Sequence, residues 1–149
     1  MHDIGKVSIP GAILEKSQPL TPREMEVIKS HCVLGERLCA PIIGLQMVLP
    51  IVRHHHERAD GSGYPDGLRA DKIPRMAQLF SIVDVYDSLR TWRPYRPAIT
   101  DWQAVEVLRR EAKRGFWNEA ACEVFARDVV PLLNDHLEAS RVLWPPQQS

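Results

Sequence analysis

A histidine stands where a core residue belongs, and any fold for this chain has to accommodate it. Thr21-Pro22-Arg23-Glu24 is a strong helix start. Thr21 can cap, Pro22 suits the first helical position, and Glu24 completes a capping box. From there Met25, Ile28, Cys32, Gly35 and Cys39 recur at helical spacing and define an apolar stripe running to about Ala40, where Pro41 stops the helix. His31 falls on that stripe, three residues after Ile28 and four before Gly35. Burying the stripe means burying an imidazole, which is costly unless it finds a partner. The same demand recurs further along. His55 and His56 follow Ile51-Val52 on a helix expected over residues 46–57, and Asp84 lies four residues after Phe80 on a helix expected over 75–89.

The rest of the chain reads as helices separated by Pro/Gly loops. Residues 8–20 hold Pro10, Gly11 and Pro19, and predict a loop with at most one short turn. Asp60-Gly61-Ser62-Gly63-Tyr64-Pro65-Asp66-Gly67 is too rich in turn formers to be anything but a loop, which is expected over 58–74. Thr100-Asp101-Trp102-Gln103 is a second capping box, opening a helix to about Arg114 with Gly115 as its stop. Asn118 caps a last helix, which Pro131 should kink. Nothing reads as a strand, so the fold class is all-α. The 149 residues make one domain, expected over 1–144, with 145–149 as a disordered tail.

Composition excludes several function classes. No run of about 18 apolar residues exists, and no signal peptide opens the sequence, so no membrane span is expected. Three scattered cysteines fit a reducing cytoplasm, each read as a small buried hydrophobe. Nineteen basic side chains balance nineteen acidic ones, without the basic excess that DNA binding would call for. The outlier is histidine: five of the six lie in the first 56 residues.

Taken singly, each polar group on an apolar face has an ordinary reading. A core histidine is usually hydrogen-bonded, and Asp84 could pair with an arginine. Their conjunction is harder to dismiss. Asp84 and Asp87 share a helix face by periodicity, and a cation nearby would relieve their repulsion. Imidazoles with carboxylates are a ligand set for Zn, Fe, Mn or Ni. His2-Asp3 adds another such pair.

Six blocks together carry a family resemblance. They are His2-Asp3-Ile4-Gly5-Lys6, His31, His55-His56-Glu57, the loop from Asp60 to Gly67, Asp84-Val85-Tyr86-Asp87 and Arg93-Pro94-Tyr95-Arg96. In order and spacing they resemble the HD-GYP domain, a branch of the HD metal-dependent phosphohydrolases, from residue 2 to about residue 125. The resemblance implies a helical HD-domain bundle with an irregular Gly-Tyr-Pro loop between helices. It implies hydrolysis of cyclic di-GMP to pGpG, carried on to GMP by many members of the family, with two or three divalent metals, commonly iron or manganese. The metal ligands it implies are His2, Asp3, His31, His55, His56 and Asp84. Asp3 would bridge two metals, one completed by the three later histidines and the other by His2 and Asp84. Lys6 would neutralise a phosphate oxygen. Arg93 and Arg96 would contact phosphate or guanine, and Asp87 would accept from guanine or orient a ligand histidine. Tyr64 would line the substrate cleft, or its loop would dock a GGDEF-domain partner. His54 does not match the family's histidine pair and is expected to be a partly exposed bystander.

The sequence also departs from the family. Only Met1 precedes His2, where the family has a helix bearing a further histidine. That leaves two readings: a piece of a longer phosphodiesterase, or a short, degenerate and non-catalytic module that binds cyclic di-GMP or a GGDEF-type partner. Arg90, Trp92 and Trp117-Asn118 are smaller departures and look structural.

Overall fold

The structure is a computed structural model and describes residues 1–92 and 97–133. Arg93, Arg96 and the expected tail at 145–149 lie outside the described residues. The chain opens with a 3₁₀ turn, Ile4–Ser8, and continues through α1 (Gly11–Leu14), α2 (Pro22–Lys29), α3 (His31–Cys39), α4 (Leu49–His54), α5 (Arg75–Arg90), α6 (Asp101–Lys113) and α7 (Glu119–Val124). A π-helical turn, Phe125–Val129, follows α7. The only strand-like pairing among the described residues is an isolated bridge between Asp60 and Arg69. The all-α expectation therefore holds. No helix among the described residues is long and apolar enough to cross a membrane.

The start and stop signals act as the sequence predicts. Thr21 N–H donates to Glu24 Oε2 (2.7 Å), and Glu24 N–H donates back to Thr21 Oγ1 (3.2 Å). Thr100 N–H donates to Gln103 Oε1 (3.0 Å), and Ala121 N–H donates to Asn118 Oδ1 (2.9 Å). Gly115 ends α6 with φ +85°, a conformation that a side chain disfavours. Pro131, which has no N–H to give, is preceded by the π turn, whose wider bonding runs from Val130 N–H to Phe125 O.

Two helices differ from expectation. The helix expected from Thr21 to Ala40 divides at Ser30, whose hydroxyl donates to Val27 O (2.7 Å). A serine that bonds back to its own turn competes with the backbone ladder. The apolar stripe divides with it: Cys32, Gly35 and Cys39 are buried, whereas Met25 on α2 is exposed. The helix expected over 46–57 is shorter, and His55 and His56 lie in the turn beyond α4. The His55 ring takes up the carbonyls of Ile51 and Val52, and Glu57 N–H reaches only to His54 O (3.0 Å).

Packing is sequential: the 3₁₀ turn lies on α3, α3 on α4, α4 on α5, α5 on α6, and α6 on α7. The apolar core sits in the second half. Ile82 and Tyr86 of α5 meet Ala104, Val105, Leu108 and Ala112 of α6, closed by Trp117, Cys122, Phe125 and Val130. The interior of the first half is different. His31, His55 and Glu57 are almost wholly buried there, between Cys32, Val52 and Ala77.

The approach of the 3₁₀ turn to α3 depends on two glycines. A Cβ on Gly5 would stand 1.9 Å from His31 O and 2.6 Å from Gly35 N, and one on Gly35 would meet Gly5 N at 3.1 Å. Backbone therefore lies directly on backbone, and this contact sets His2, Asp3 and Lys6 against His31. Gly5→Ala should push the turn off α3 and cost about 2–3 kcal/mol, read as a lowered urea midpoint. An unchanged midpoint would show that the contact is looser than described.

Candidate metal centre

Four segments bring the polar residues together. The residues just before the 3₁₀ turn supply His2 and Asp3, the first residue of α3 supplies His31, the turn after α4 supplies His55 and His56, and the middle of α5 supplies Asp84. Ser81, one turn before Asp84, fastens the α4 turn to α5 by donating to His55 O (2.7 Å).

Hydrogen bonds fix the imidazoles. His31 Nδ1 lies 2.7 Å from Ile28 O, and His55 Nδ1 lies 3.0 Å from the carbonyls of Ile51 and Val52. A carbonyl only accepts, so each Nδ1 carries the proton and each Nε2 presents a lone pair. Those two Nε2 atoms are 3.4 Å apart. Asp3 Oδ1 lies 3.2 Å from His31 Nε2 and 3.7 Å from His55 Nε2. This carboxylate oxygen is buried and has no hydrogen-bond partner. Two nitrogen lone pairs and an anionic oxygen thus converge with no proton among them. Such a grouping is unfavourable alone, and a divalent cation at its centre satisfies every member. The residues present fit a metal.

The other carboxylate oxygen turns the opposite way. Asp3 Oδ2 lies 3.5 Å from His2 Nε2 and accepts from Lys6 Nζ (2.5 Å). His2 Nε2 is in turn 3.4 Å from Asp84 Oδ1. Asp3 therefore presents one oxygen to His31 and His55 and the other to His2. Burial alone would raise the Asp3 pKa, but the carboxyl is held well below the usual range, with the Lys6 ammonium donating to Oδ2 among the causes. His56 completes the group, its ring centroid 4.1 Å from that of His55 and 5.3 Å from that of His31. Burial, with His55 and His31 adjacent, pushes its pKa down to about 3, so it is a neutral ring with a free lone pair.

All six expected ligands come together in this way. Cys32 joins them without having been expected: its Sγ is 3.5 Å from His31 Nε2. His31, Cys32, His55 and His56 form one group of donors, and His2, Asp3 and His55 form another. Burial, together with the charges of Asp3 and Glu57, raises the Cys32 thiol to about 12.

The Gly-Tyr-Pro loop closes over this centre. The Tyr64 ring lies 4.7 Å from that of His56, and Tyr64 N–H donates to His56 O (3.2 Å). A Cβ on Gly63 would stand 2.3 Å from Arg58 N, so only glycine lets the loop approach so closely. Glu57 anchors the loop from beneath. Its buried carboxylate accepts from Asp66 N–H (2.7 Å) and Leu68 N–H (2.9 Å). Arg53 holds the same loop from the side, forking onto Asp66 while also pairing with Glu36 of α3. The sequence shows Glu57 beside the histidine pair, but its partners are backbone amides nine and eleven residues on, which no side-chain pattern announces.

A cleft of about 460 Å³ opens beside the centre, lined in part by His56, Ser62, Tyr64, Asp84 and Ser88. Asp87 is exposed and outside that lining. Asp84 has His2 as its ion-pair neighbour. His54 is half-buried beside Asp66, apart from the histidine cluster. Burial lowers its pKa.

Comparison with known proteins gives a consistent result. The profile described as "HD domain" matches residues 1–117. A cyclic di-GMP phosphodiesterase of Pseudomonas aeruginosa is 39% identical over 121 residues, covering 79% of this chain and 27% of that protein. A 3'3'-cGAMP-specific phosphodiesterase of Vibrio cholerae is 32% identical over 128 residues, covering 86% of this chain and 30% of that protein. The chain thus spans under a third of the length of these curated relatives. Among solved structures, an HDG"Y"P protein from Bdellovibrio bacteriovorus superposes with a TM-score of 0.63 at 23% identity, covering 92% of this chain and 40% of that one.

Glu57→Ala should deprive the Asp66 and Leu68 amides of their buried carboxylate partner and cost about 2 kcal/mol in denaturant unfolding. The Asp66 and Leu68 amides should exchange with deuterium much faster in this variant. Unchanged exchange at both would show that something other than Glu57 holds the loop.

Proposed function

The chain belongs to the HD domain family, and from that premise we propose that it is a metal-dependent phosphodiesterase that hydrolyses cyclic di-GMP to pGpG and onward to GMP. One observation carries the reading: the Asp3 carboxylate divides its two oxygens between two sets of donors, and Oδ1 is buried without a hydrogen bond. His31, His55 and His56 with Asp3 Oδ1 would hold one divalent cation, iron or manganese. His2 and Asp84 with Asp3 Oδ2 would hold a second. Cations bound there supply Lewis acidity and lower the pKa of water, which is what phosphodiester hydrolysis needs near neutral pH.

The chain's own residues do the positioning. The Nδ1–carbonyl bonds keep the His31 and His55 rings from turning, so their donor atoms need no reorganisation. Lys6, partly exposed beside Asp3, is placed to neutralise a phosphate oxygen at the mouth of the centre. Tyr64 over His56 lines the substrate side and excludes water from the imidazoles. Its packing favours a cleft role over GGDEF docking, because Gly63 and Tyr64 face the centre. Asp87, in the last turn of α5, and Arg93 and Arg96, which follow α5 along the chain, supply guanine and phosphate contacts in this reading. The substrate is a cytoplasmic second messenger, so the cytoplasm is the compartment proposed.

The test uses the whole chain, loaded with Mn²⁺ or Fe²⁺ under anaerobic conditions. Cyclic di-GMP should be turned over, chelation should abolish turnover, and metal should restore it. Replacing both His55 and His56 by Ala should lower kcat/KM at least about 100-fold and lower bound metal by elemental analysis. Absence of turnover by the metal-loaded chain would overturn the reading. Preferential turnover of 3'3'-cGAMP would overturn its substrate assignment.

A further inference from the structure

The donor cluster is richer than imidazole and carboxylate. Cys32 is completely buried and sits among His31, His55 and His56, with one donor atom of each of the four within 4.8 Å of the others. The distances have the size of a coordination polyhedron. Two ligands that subtend about 109° at a metal, with a metal–nitrogen bond of about 2.05 Å and a metal–sulfur bond of about 2.3 Å, lie about 3.4 Å apart when both are nitrogens and about 3.6 Å apart when one is sulfur. The His31 and His55 Nε2 atoms are 3.4 Å apart, and Cys32 Sγ is 3.5 Å from His31 Nε2. The two nitrogens belong to almost fully buried rings whose Nδ1 protons are committed to backbone carbonyls, which leaves both Nε2 lone pairs facing the cluster. Among the described residues the sulfur has no other hydrogen-bond contact.

We infer that Cys32 is a ligand of the metal held by His31, His55 and His56, so that this centre is a mixed nitrogen–sulfur site. On coordination the S–H bond breaks, the electron pair stays on sulfur to form the metal–sulfur bond, and the proton leaves to water. No oxidant is required. A thiolate is a soft donor and selects Zn²⁺ or Fe²⁺ over Mn²⁺. The inference rests on the metal-binding reading of the cluster and adds a ligand and a metal preference to it.

Cobalt(II) is the probe, because a sulfur-to-cobalt charge-transfer band in the near ultraviolet reports thiolate ligation independently of turnover. The whole chain titrated with Co²⁺ should show that band together with visible d–d bands. Cys32→Ala should keep the d–d bands and lose the charge-transfer band, and Cys122→Ala, altered in the distant apolar core, should keep both. Cys32→Ser, nearly the same size, serves if the alanine variant fails to fold by circular dichroism. Zn²⁺ affinity should fall about tenfold or more on loss of Cys32, and Mn²⁺ affinity should change by less than about twofold. Cobalt uptake with d–d bands and no charge-transfer band in the wild type would overturn the role of Cys32 while leaving a metal centre. Failure of the wild type to take up cobalt, zinc or manganese at all would overturn both readings.

Discussion

His31 and His55 each give their Nδ1 proton to a carbonyl of the preceding turn, and much of this molecule depends on that choice. Had either ring protonated Nε2 instead, a hydrogen bond between the two would satisfy the pair, and the interior would be an ordinary polar core. With both protons facing outward, the inner nitrogens and Asp3 Oδ1 are left with a shared deficit of positive charge. The backbone is drawn into the same arrangement. Because the His55 ring uses the carbonyls at the end of α4, that helix stops, and the chain turns to bring His56 and Glu57 into place.

The two halves of the domain are therefore held by different physics. Around α5, α6 and α7, cohesion comes from removing apolar side chains from water, with Tyr86 and Trp117 directing their polar atoms to Asp101 and Glu111. Around α3 and α4, the largest buried groups include imidazoles and a carboxylate, and cohesion comes from their partners. Glu57 has two amides and the loop they belong to. Cys32 and the inner imidazole nitrogens have one another.

What could be read from the sequence follows this division. Thr21, Gly115 and Asn118 act through neighbours three or four residues away, and such local signals survive in a linear pattern. His31 is conspicuous because periodicity places it on an apolar stripe, and the six residues expected as ligands are picked out by the family resemblance. Ser30 was not legible as a break, because a serine inside a helix is tolerated unless its hydroxyl turns back on the ladder. Cys32 lay on the same stripe and passed as a hydrophobe, since cysteine is both a small apolar residue and a donor. Ser81 and Glu57 bond to backbone atoms of remote segments, and that information exists only once the chain has folded.

The glycine contact between the opening turn and α3 has a mechanical meaning. Most neighbouring elements in a protein are separated by a layer of side chains that can change rotamer and absorb a small displacement. Between Gly5 and Gly35 there is no such cushion, and main chain lies against main chain. The first turn and the helix must then travel as one body. A load applied along α3 reaches Asp3 undamped, and the spacing between Asp3 and His31 is as stiff as the backbone contact that sets it.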